Sequence, residues 1–336
     1  MSIGWGIIGI GTHAGLRMAP ALRRAADTQR VAVCSRSLER ANDFASKYGF
    51  MRAYDNLPEM LKDSQLDVLY VATPNSLHAE HTMQAAEAGK HVLCEKPMAI
   101  TENDCQQMIA SCEKNNVKLC MCFQNRYHPA HVEAHRLIQA GEIGKIYAAK
   151  AQYCHGRGRG LFGQGGWRSD LSMAGGGALM GTGLHPIDLL RFLLDSEVEE
   201  IRALCDPSTP NTLEDMVYAF LKFQNGAHGV VVAGNLVFRS DNDAVLYGSE
   251  AKITCKGTVG MPLQGELFVE GDSINLRMAF PTDDIVSGCY IQVVEAFNRS
   301  IEENTELSNS GYNGLQMVKI ANALLESSRL GKAVKI

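Results

Sequence analysis

The chain reads as an α/β protein, with a doubly wound parallel sheet over residues 1–124 and an α+β domain with a mostly antiparallel sheet over 125–336. Three observations predict this. Short apolar runs alternate with helical patterns as far as residue 122, which argues for strands joined by crossover helices. The first run ends in a glycine turn, Gly9-Ile10-Gly11, that opens a helix. After Phe123 longer strands follow one another, as in an antiparallel or mixed sheet with helices to one side.

Ile3 to Ile8 is the first strand. Gly9, Gly11, Thr12, His13 and Ala14 then form a G-x-G-x-x-A turn, the dinucleotide fingerprint. Its first glycine makes the turn, and its second lets the backbone approach a pyrophosphate at the helix N-terminus. Pro20 interrupts the helix that runs on through Arg24, and a kink or an early turn would accommodate it. The second strand, Arg30 to Cys34, ends in Ser35-Arg36-Ser37, with Arg40 one helical turn further on. An NAD-binding chain usually places an acid at this point to grip the ribose hydroxyls, and here there is none. Ser35 and Arg36 suit a 2'-phosphate, because a guanidinium pairs with phosphate as a fork. The sequence therefore favours NADP over NAD; a solvated loop arginine with dual cofactor use is the alternative.

The alternation continues through a helix at Leu38 to Tyr48, a short helix near Pro58 and a strand at Asp67 to Val71. It closes with a helix at His78 to Ala88, the strand His91 to Cys94, a helix at Glu102 to Asn115 and the strand Lys118 to Cys122. After Val71 come Ala72-Thr73-Pro74-Asn75, where Thr73 and Asn75 are candidate contacts to ribose or nicotinamide, unless Asn75 or Ser76 simply caps the next helix. After Cys94 come Glu95-Lys96-Pro97. At the carboxyl rim of a parallel sheet a lysine can hold a substrate oxygen and, if partly desolvated, exchange a proton. On position alone, a solvated strand-end lysine is the plainer reading.

In the second half, strands are predicted at Ile146 to Tyr153, Met216 to Phe223, Ala227 to Ala233, Val245 to Tyr247, Lys252 to Cys255 and Glu266 to Val269. Tyr290, Val293, Val294, Phe297 and Ile301 recur at helical spacing, as do Met317, Ile320, Ala321, Leu324 and Leu325, giving two core-facing helices. His155 to Gly166 is a glycine-rich loop suited to a lid or a subunit contact, followed by Trp167-Arg168, where Arg168 is placed to bind substrate hydroxyls or a carboxylate. Beyond Gly175-Gly176-Gly177 lies Gly181-Thr182-Gly183-Leu184-His185-Pro186-Ile187-Asp188. Pro186 fits a first helical turn and puts His185 at the helix edge. Histidine is the usual acid or base for an alcohol-carbonyl interconversion. Asp188, a turn later, would orient His185 or sit in solvent.

Composition narrows the partners. A net charge of -5 leaves no basic stripe for nucleic acid and no polybasic membrane patch. The N-terminus has no basic segment ahead of its apolar run, and no apolar run nears the roughly 20 residues of a membrane span, so a cytoplasmic protein is expected. Ten scattered cysteines without C-x-x-C spacing read as buried free thiols. His131 and His135 have the i, i+4 spacing of metal ligands, with His128 nearby. Glu133 is one place off the H-E-x-x-H order and no third ligand is indicated, so a surface helix is expected there and no metal.

Gly9-Ile10-Gly11, Ala72-Thr73-Pro74-Asn75, Glu95-Lys96-Pro97, Asn125-Arg126-Tyr127-His128-Pro129 and the G-G-G...H-P-I-D stretch together resemble the Gfo/Idh/MocA family, over nearly the whole chain. The resemblance implies an N-terminal Rossmann domain, a C-terminal domain whose large open sheet forms a homodimer or homotetramer contact, and NAD(P)-dependent redox chemistry on a sugar, keto-sugar or polyol. It implies Lys96 as the catalytic lysine and His185 as the proton-transferring histidine. Candidate cofactor contacts are Gly9, Gly11, Thr12, His13 and Ala14 of the turn, with Ser35, Arg36, Arg40, Thr73, Asn75, His78, Glu95, Lys96 and Asn125. Candidate substrate contacts are Tyr127, Trp167, Arg168 and Asp188. Within the family the serine-arginine cofactor loop, His13 and Trp167-Arg168 are most similar to NADP-using sugar reductases. The family pattern usually has an aspartate four residues before the histidine, where this chain has Gly181. That departure motivates a second reading, a non-catalytic NADP-binding sensor. A third is a reductase or dehydrogenase of a non-sugar such as an aromatic diol or a tetrapyrrole.

Overall fold

The computed structural model describes residues 2–156, 165–207, 212–260, 264–280 and 285–336. Most of the predicted glycine-rich loop, 157–164, lies outside the described residues. The chain divides into two compact units, 1–124 with 287–318, and 125–286 with 319–336.

The first unit is built on six parallel strands: β1 (Ile3–Ile8), β2 (Thr28–Cys34), β3 (Arg52–Tyr54), β4 (Val68–Val71), β5 (His91–Cys94) and β6 (Leu119–Met121). Their order is β3-β2-β1-β4-β5-β6. The order reverses between β1 and β4, where open α/β sheets bind ligands outside the strands' carboxyl ends. Every residue of β1 and β4 is buried, which is why these strands read as unbroken apolar runs and not as alternating ones. The helix after Gly11 runs from residue 12 to 24, with a widened turn at Ala14–Met18 leading into α1 (Ala19–Arg24). The widening meets the difficulty that Pro20 poses, since a proline ring clashes with the carbonyl four residues back in a regular helix. Ser37 and Thr101 accept backbone N–H groups at the starts of α2 (Leu38–Tyr48) and α5 (Glu102–Lys114), and Asn56 does so for α3 (Leu57–Leu61). The N-cap positions of the turn Asn75–Leu77 and of the following α4 (His78–Glu87) are Pro74 and Leu77, and neither caps with its side chain.

A boundary at residue 124 accounts for only part of this unit. From Ser287 the late chain returns to the first sheet. Phe297 sets its ring edge against Trp5 at 6.0 Å, and Trp5 Nε1 donates to Asn298 Oδ1 at 3.0 Å. Further along, the Asn309 carbonyl accepts from the Met121 N–H of β6 and its side-chain amide donates to the Met121 carbonyl. Helical periodicity shows that a face is buried, but not against which sheet.

The second unit carries nine strands in the order β14-β13-β12-β11-β7-β10-β9-β8-β15. They are β7 (Ile146–Cys154), β8 (Val198–Asp206), β9 (Met216–Phe223), β10 (His228–Gly234), β11 (Ala244–Gly248), β12 (Ala251–Lys256), β13 (Gly265–Gly271), β14 (Asn275–Phe280) and β15 (Val334–Lys335). All pairs are antiparallel except β7 with β10. The helices of this unit are α6 (Pro129–Gln139), the short α7 (Leu171–Ala174) and α8 (Leu184–Leu194). Burial alternates along β9, with Val217, Ala219 and Leu221 inside and Tyr218 and Phe220 outside. The last two helices are α9 (Ile285–Glu302) and α10 (Gly311–Leu330), and the division between units falls within α10, after Val318.

Candidate active site

Gly9 holds a φ of +90°, and a Cβ there would lie 2.4 Å from the Ala72 carbonyl carbon, so only glycine lets the loops after β1 and β4 meet. At Gly11 a Cβ would meet nothing within 4 Å. The backbone there is open and begins a helical run, a cradle that fits a pyrophosphate. Thr12 is exposed, His13 half-buried and Ala14 buried.

His13 faces inward to Glu95, its Nε2 lying 3.2 Å from Glu95 Oε1, and the Tyr290 phenol sits 3.3 Å from the same nitrogen. Glu95 also accepts from the Tyr70 hydroxyl at 2.6 Å and from the Lys96 backbone N–H at 3.3 Å. Burial pushes the Glu95 carboxyl up, but the charge and hydrogen bond of His13, the Tyr70 hydrogen bond and the charge of Lys96 outweigh it and hold the group well below the usual carboxylate range. Burial, then the nearby Glu95, raises the Cys122 thiol, which also hydrogen-bonds to that carboxylate. Tyr70, Cys122 and Tyr290 gave no polar signal in the sequence, since each sits in an apolar run.

The β4 and β5 rim loops carry Thr73, Asn75 and Lys96. Thr73 and Lys96 are half-buried and Asn75 is buried. Thr73 Oγ1 lies 3.0 Å from His81 Nδ1. His78 is 1% exposed, with both ring nitrogens against backbone carbonyls. Ser35 is half-buried beyond β2, and Arg36 and Arg40 are exposed, with Arg40 N donating to the Ser37 cap. His78 and Glu95 were expected to touch cofactor, and so was Asn125. All three are buried with partners inside the protein; Asn125, its amide oriented to suit its neighbours, donates to Gly260 O at 2.7 Å. A motif puts a residue at a rim without showing which way its side chain turns.

In the second unit a widened helical turn, Leu179–Gly183, carries Gly181 and runs straight into α8, so Gly181 precedes His185 by about one turn. His185 is buried, and Tyr153 from β7 packs edge-on against its ring at 5.6 Å. The glycines before it are explained by Glu214, a buried residue the sequence did not single out. Glu214 Oε1 accepts from Gly177 N and Leu179 N at 2.9 and 2.8 Å, and a Cβ on Gly177 would lie 2.3 Å from the Glu214 carbonyl. Burial pushes the Glu214 carboxyl up, against the pull of those donors.

Asp188 neither orients His185 nor faces solvent. Its carboxylate pairs with Arg126, Nε to Oδ2 at 2.9 Å and Nη2 to Oδ1 at 2.5 Å, with Arg191 Nη1 at 3.7 Å. The three side chains are buried, so this is a structural cluster. Tyr127 is half-buried, and Arg168 stacks over the Trp167 ring at 4.3 Å on a short exposed turn. His131 is no surface group: its nitrogens lie 2.6 Å from Asn125 O and 2.7 Å from Thr258 Oγ1, while His135 stacks on Phe192 at 4.3 Å. Among the described residues no group of three or more His, Cys, Asp or Glu could hold a metal ion. No helix among them is long and apolar enough to cross a membrane.

A family model described as an oxidoreductase family with an NAD-binding Rossmann fold matches residues 3–123, and the model of the same family's C-terminal domain matches 131–254. The chain belongs to the Gfo/Idh/MocA family. It is therefore an oxidoreductase whose first domain is of the NAD-binding Rossmann kind. A 1,5-anhydro-D-fructose reductase of Ensifer adhaerens is 28% identical over 337 residues, covering 99% of this chain and 98% of that one. A trans-1,2-dihydrobenzene-1,2-diol dehydrogenase of Danio rerio is 29% identical over 289 residues, covering 84% and 81%. A levoglucosan dehydrogenase solved in complex with NADH matches with a TM-score of 0.88 at 25% identity, covering 100% of this chain and 99% of that one.

Proposed function

We propose that this family member transfers hydride between NADP and a carbinol or carbonyl carbon of a sugar, keto-sugar or polyol. The observation that carries the cofactor half is the cradle at Gly9 and Gly11, with Ser35 and Arg36 following β2 where an acid would favour NAD. When bound, the nicotinamide supplies or accepts the hydride. Lys96 holds the substrate oxygen with its ammonium and lowers the cost of charge developing there. His185, held against Tyr153, gives or takes the proton of that oxygen. The sugar half rests on full-length similarity to a 1,5-anhydro-D-fructose reductase and to a levoglucosan dehydrogenase. Similarity to a dihydrodiol dehydrogenase favours an aromatic diol as the second reading.

The second unit supplies a self-association surface in the same proposal. Leu204, Tyr218, Phe220 and Val230 lie side by side on β8, β9 and β10, on the face away from the buried residues of β9, and Phe220 is 64% exposed. An apolar stripe of this kind on a sheet face suits a second copy of the chain. Light scattering of Phe220→Glu against the parent protein reads it, with loss of the oligomer expected.

The test of the cofactor and substrate is a fluorescence titration with NADPH and NADH, repeated on Arg36→Ala, followed by a panel of sugars, keto-sugars and aromatic diols. NADPH should bind more tightly, and Arg36→Ala should weaken it by about 10- to 100-fold, the worth of a charged hydrogen bond. Binding without turnover on the whole panel would favour the non-catalytic sensor. If neither nucleotide binds, the proposal fails.

A further inference from the structure

His78 opens α4 below the rim, with its imidazole between the loops that follow β4 and β5. Its Nδ1 lies 2.8 Å from the carbonyl oxygen of Pro97, and its Nε2 lies 2.9 Å from the carbonyl oxygen of Thr73. The ring is 1% exposed, so water does not compete for either contact. Pro97 follows Lys96 directly, and Thr73 is the candidate ribose or nicotinamide contact. One buried ring therefore touches the backbone of both loops.

Carbonyl oxygens only accept, so each contact asks for an N–H on the ring, and a neutral imidazole has one. The ring therefore favours one loop at a time, or both when it carries a second proton. A lost donor at either nitrogen would leave a buried carbonyl without its partner, and the loop would shift to find another.

We propose that His78 is a positioning residue that sets the Lys96 loop through Pro97 and the cofactor loop through Thr73, by two separable contacts, of which the neutral ring makes one at a time as a hydrogen bond. The proposal rests on the reading of Lys96 given above. It assigns no contact between His78 and substrate or cofactor.

Two amide substitutions take the bonds apart. His78→Asn keeps a donor near the Nδ1 position and so keeps the Pro97 tie alone. His78→Gln keeps a donor near the Nε2 position and so keeps the Thr73 tie alone. With NADPH and 1,5-anhydro-D-fructose as probes, His78→Gln should lower kcat by about 100-fold, the order expected of a displaced catalytic group, and leave NADPH affinity within about twofold. His78→Asn should do the reverse, weakening NADPH by about 10-fold while kcat falls by less than about threefold. Equal losses in both variants, or loss of thermal stability with NADPH affinity and kcat unchanged, would overturn the proposal.

Nitrogen-15 spectroscopy of the His78 ring in the wild-type protein covers the case in which a variant does not fold. At least one ring N–H should be hydrogen-bonded and exchange slowly with solvent; a freely exchanging ring would overturn the brace. Lys96→Met, run in parallel, separates the two ideas. If Lys96→Met turns over like wild type, the lysine reading fails while the NADPH and nitrogen-15 measurements still decide the brace. If only Lys96→Met loses turnover, the brace fails and the lysine stands.

Discussion

The hydroxyl of Tyr70, in the middle of the first sheet, donates to Glu95 Oε1 at 2.6 Å, and both residues are buried. This bond joins the core of β4 to the residue before Lys96, and His13 reaches the same oxygen from the glycine turn. Tyr70→Phe should cost about 1–3 kcal/mol, because it removes a donor from a buried carboxylate. Urea unfolding at pH 7 measures it. Since the fold holds Glu95 below the usual carboxylate range, the unfolded chain binds the proton first as pH falls below about 4. Stability from Glu95 is thus present above that pH and lost below it, and Glu95→Gln should flatten the acid limb. An unchanged limb would show that the carboxylate is not ionised in the fold.

A second acid dependence begins nearer neutrality. Burial holds His131 down to about 4, against the pull of the Asn125 carbonyl, and burial with the neighbouring His131 holds His128 down to about 2. In the unfolded chain both titrate near about 6.5. From about pH 6.5 down to about 4 the unfolded state therefore binds more protons, and stability should fall by up to about 1.4 kcal/mol per pH unit for each histidine. Urea midpoints at pH 7.5, 6 and 5 test this, and equal midpoints would refute it.

Asp188 stands between Arg126 and Arg191, all three buried. Asp188→Ala removes the carboxylate that pairs bidentately with the buried Arg126, while Arg191 keeps its own pair with Glu197, at a cost of about 3–5 kcal/mol. Chemical denaturation should show this with the denaturant slope unchanged. A loss below about 1 kcal/mol would mean that water reaches the site in the variant.

All ten cysteines are free and buried, and burial raises the thiols of Cys105, Cys112 and Cys289 to about 12. A thiol attacks as thiolate, so a disulfide reagent at pH 8 should titrate almost none in the native protein and ten after denaturation. Fast reaction of even one would identify a segment that opens locally.

Lys96→Met should keep NADPH affinity within about threefold and lower kcat by several orders of magnitude, as expected of a group acting in the transition state. Stopped-flow turnover beside the nucleotide titration separates the two effects.

The strands were legible where apolar residues ran together, as in Val68-Leu69-Tyr70-Val71, or alternated, as in Met216 to Phe223. Four were not. Val198–Asp206 mixes Glu199, Glu200 and Arg202 into its pattern, Arg52–Tyr54 is three residues long, Val334–Lys335 is two, and Asn275–Phe280 pairs with β13 alone. Their strand state is set by hydrogen bonding to a neighbour already in place, which a local pattern does not carry.

The sequence by itself determined the alternating first domain, the glycine turn, the absence of an acid after β2 and the place of Lys96 at a strand's carboxyl end, because each is a local arrangement with a fixed period or spacing. Only the tertiary structure decided direction and partnership. It turned Glu95 and His78 inward, set Asp188 between two arginines, brought Glu214 to the glycines before His185 and packed Phe297 on Trp5 of the first sheet. Those contacts join residues far apart in the chain, and burial selects among them by pairing each charge and filling each face, a selection that residue spacing does not record.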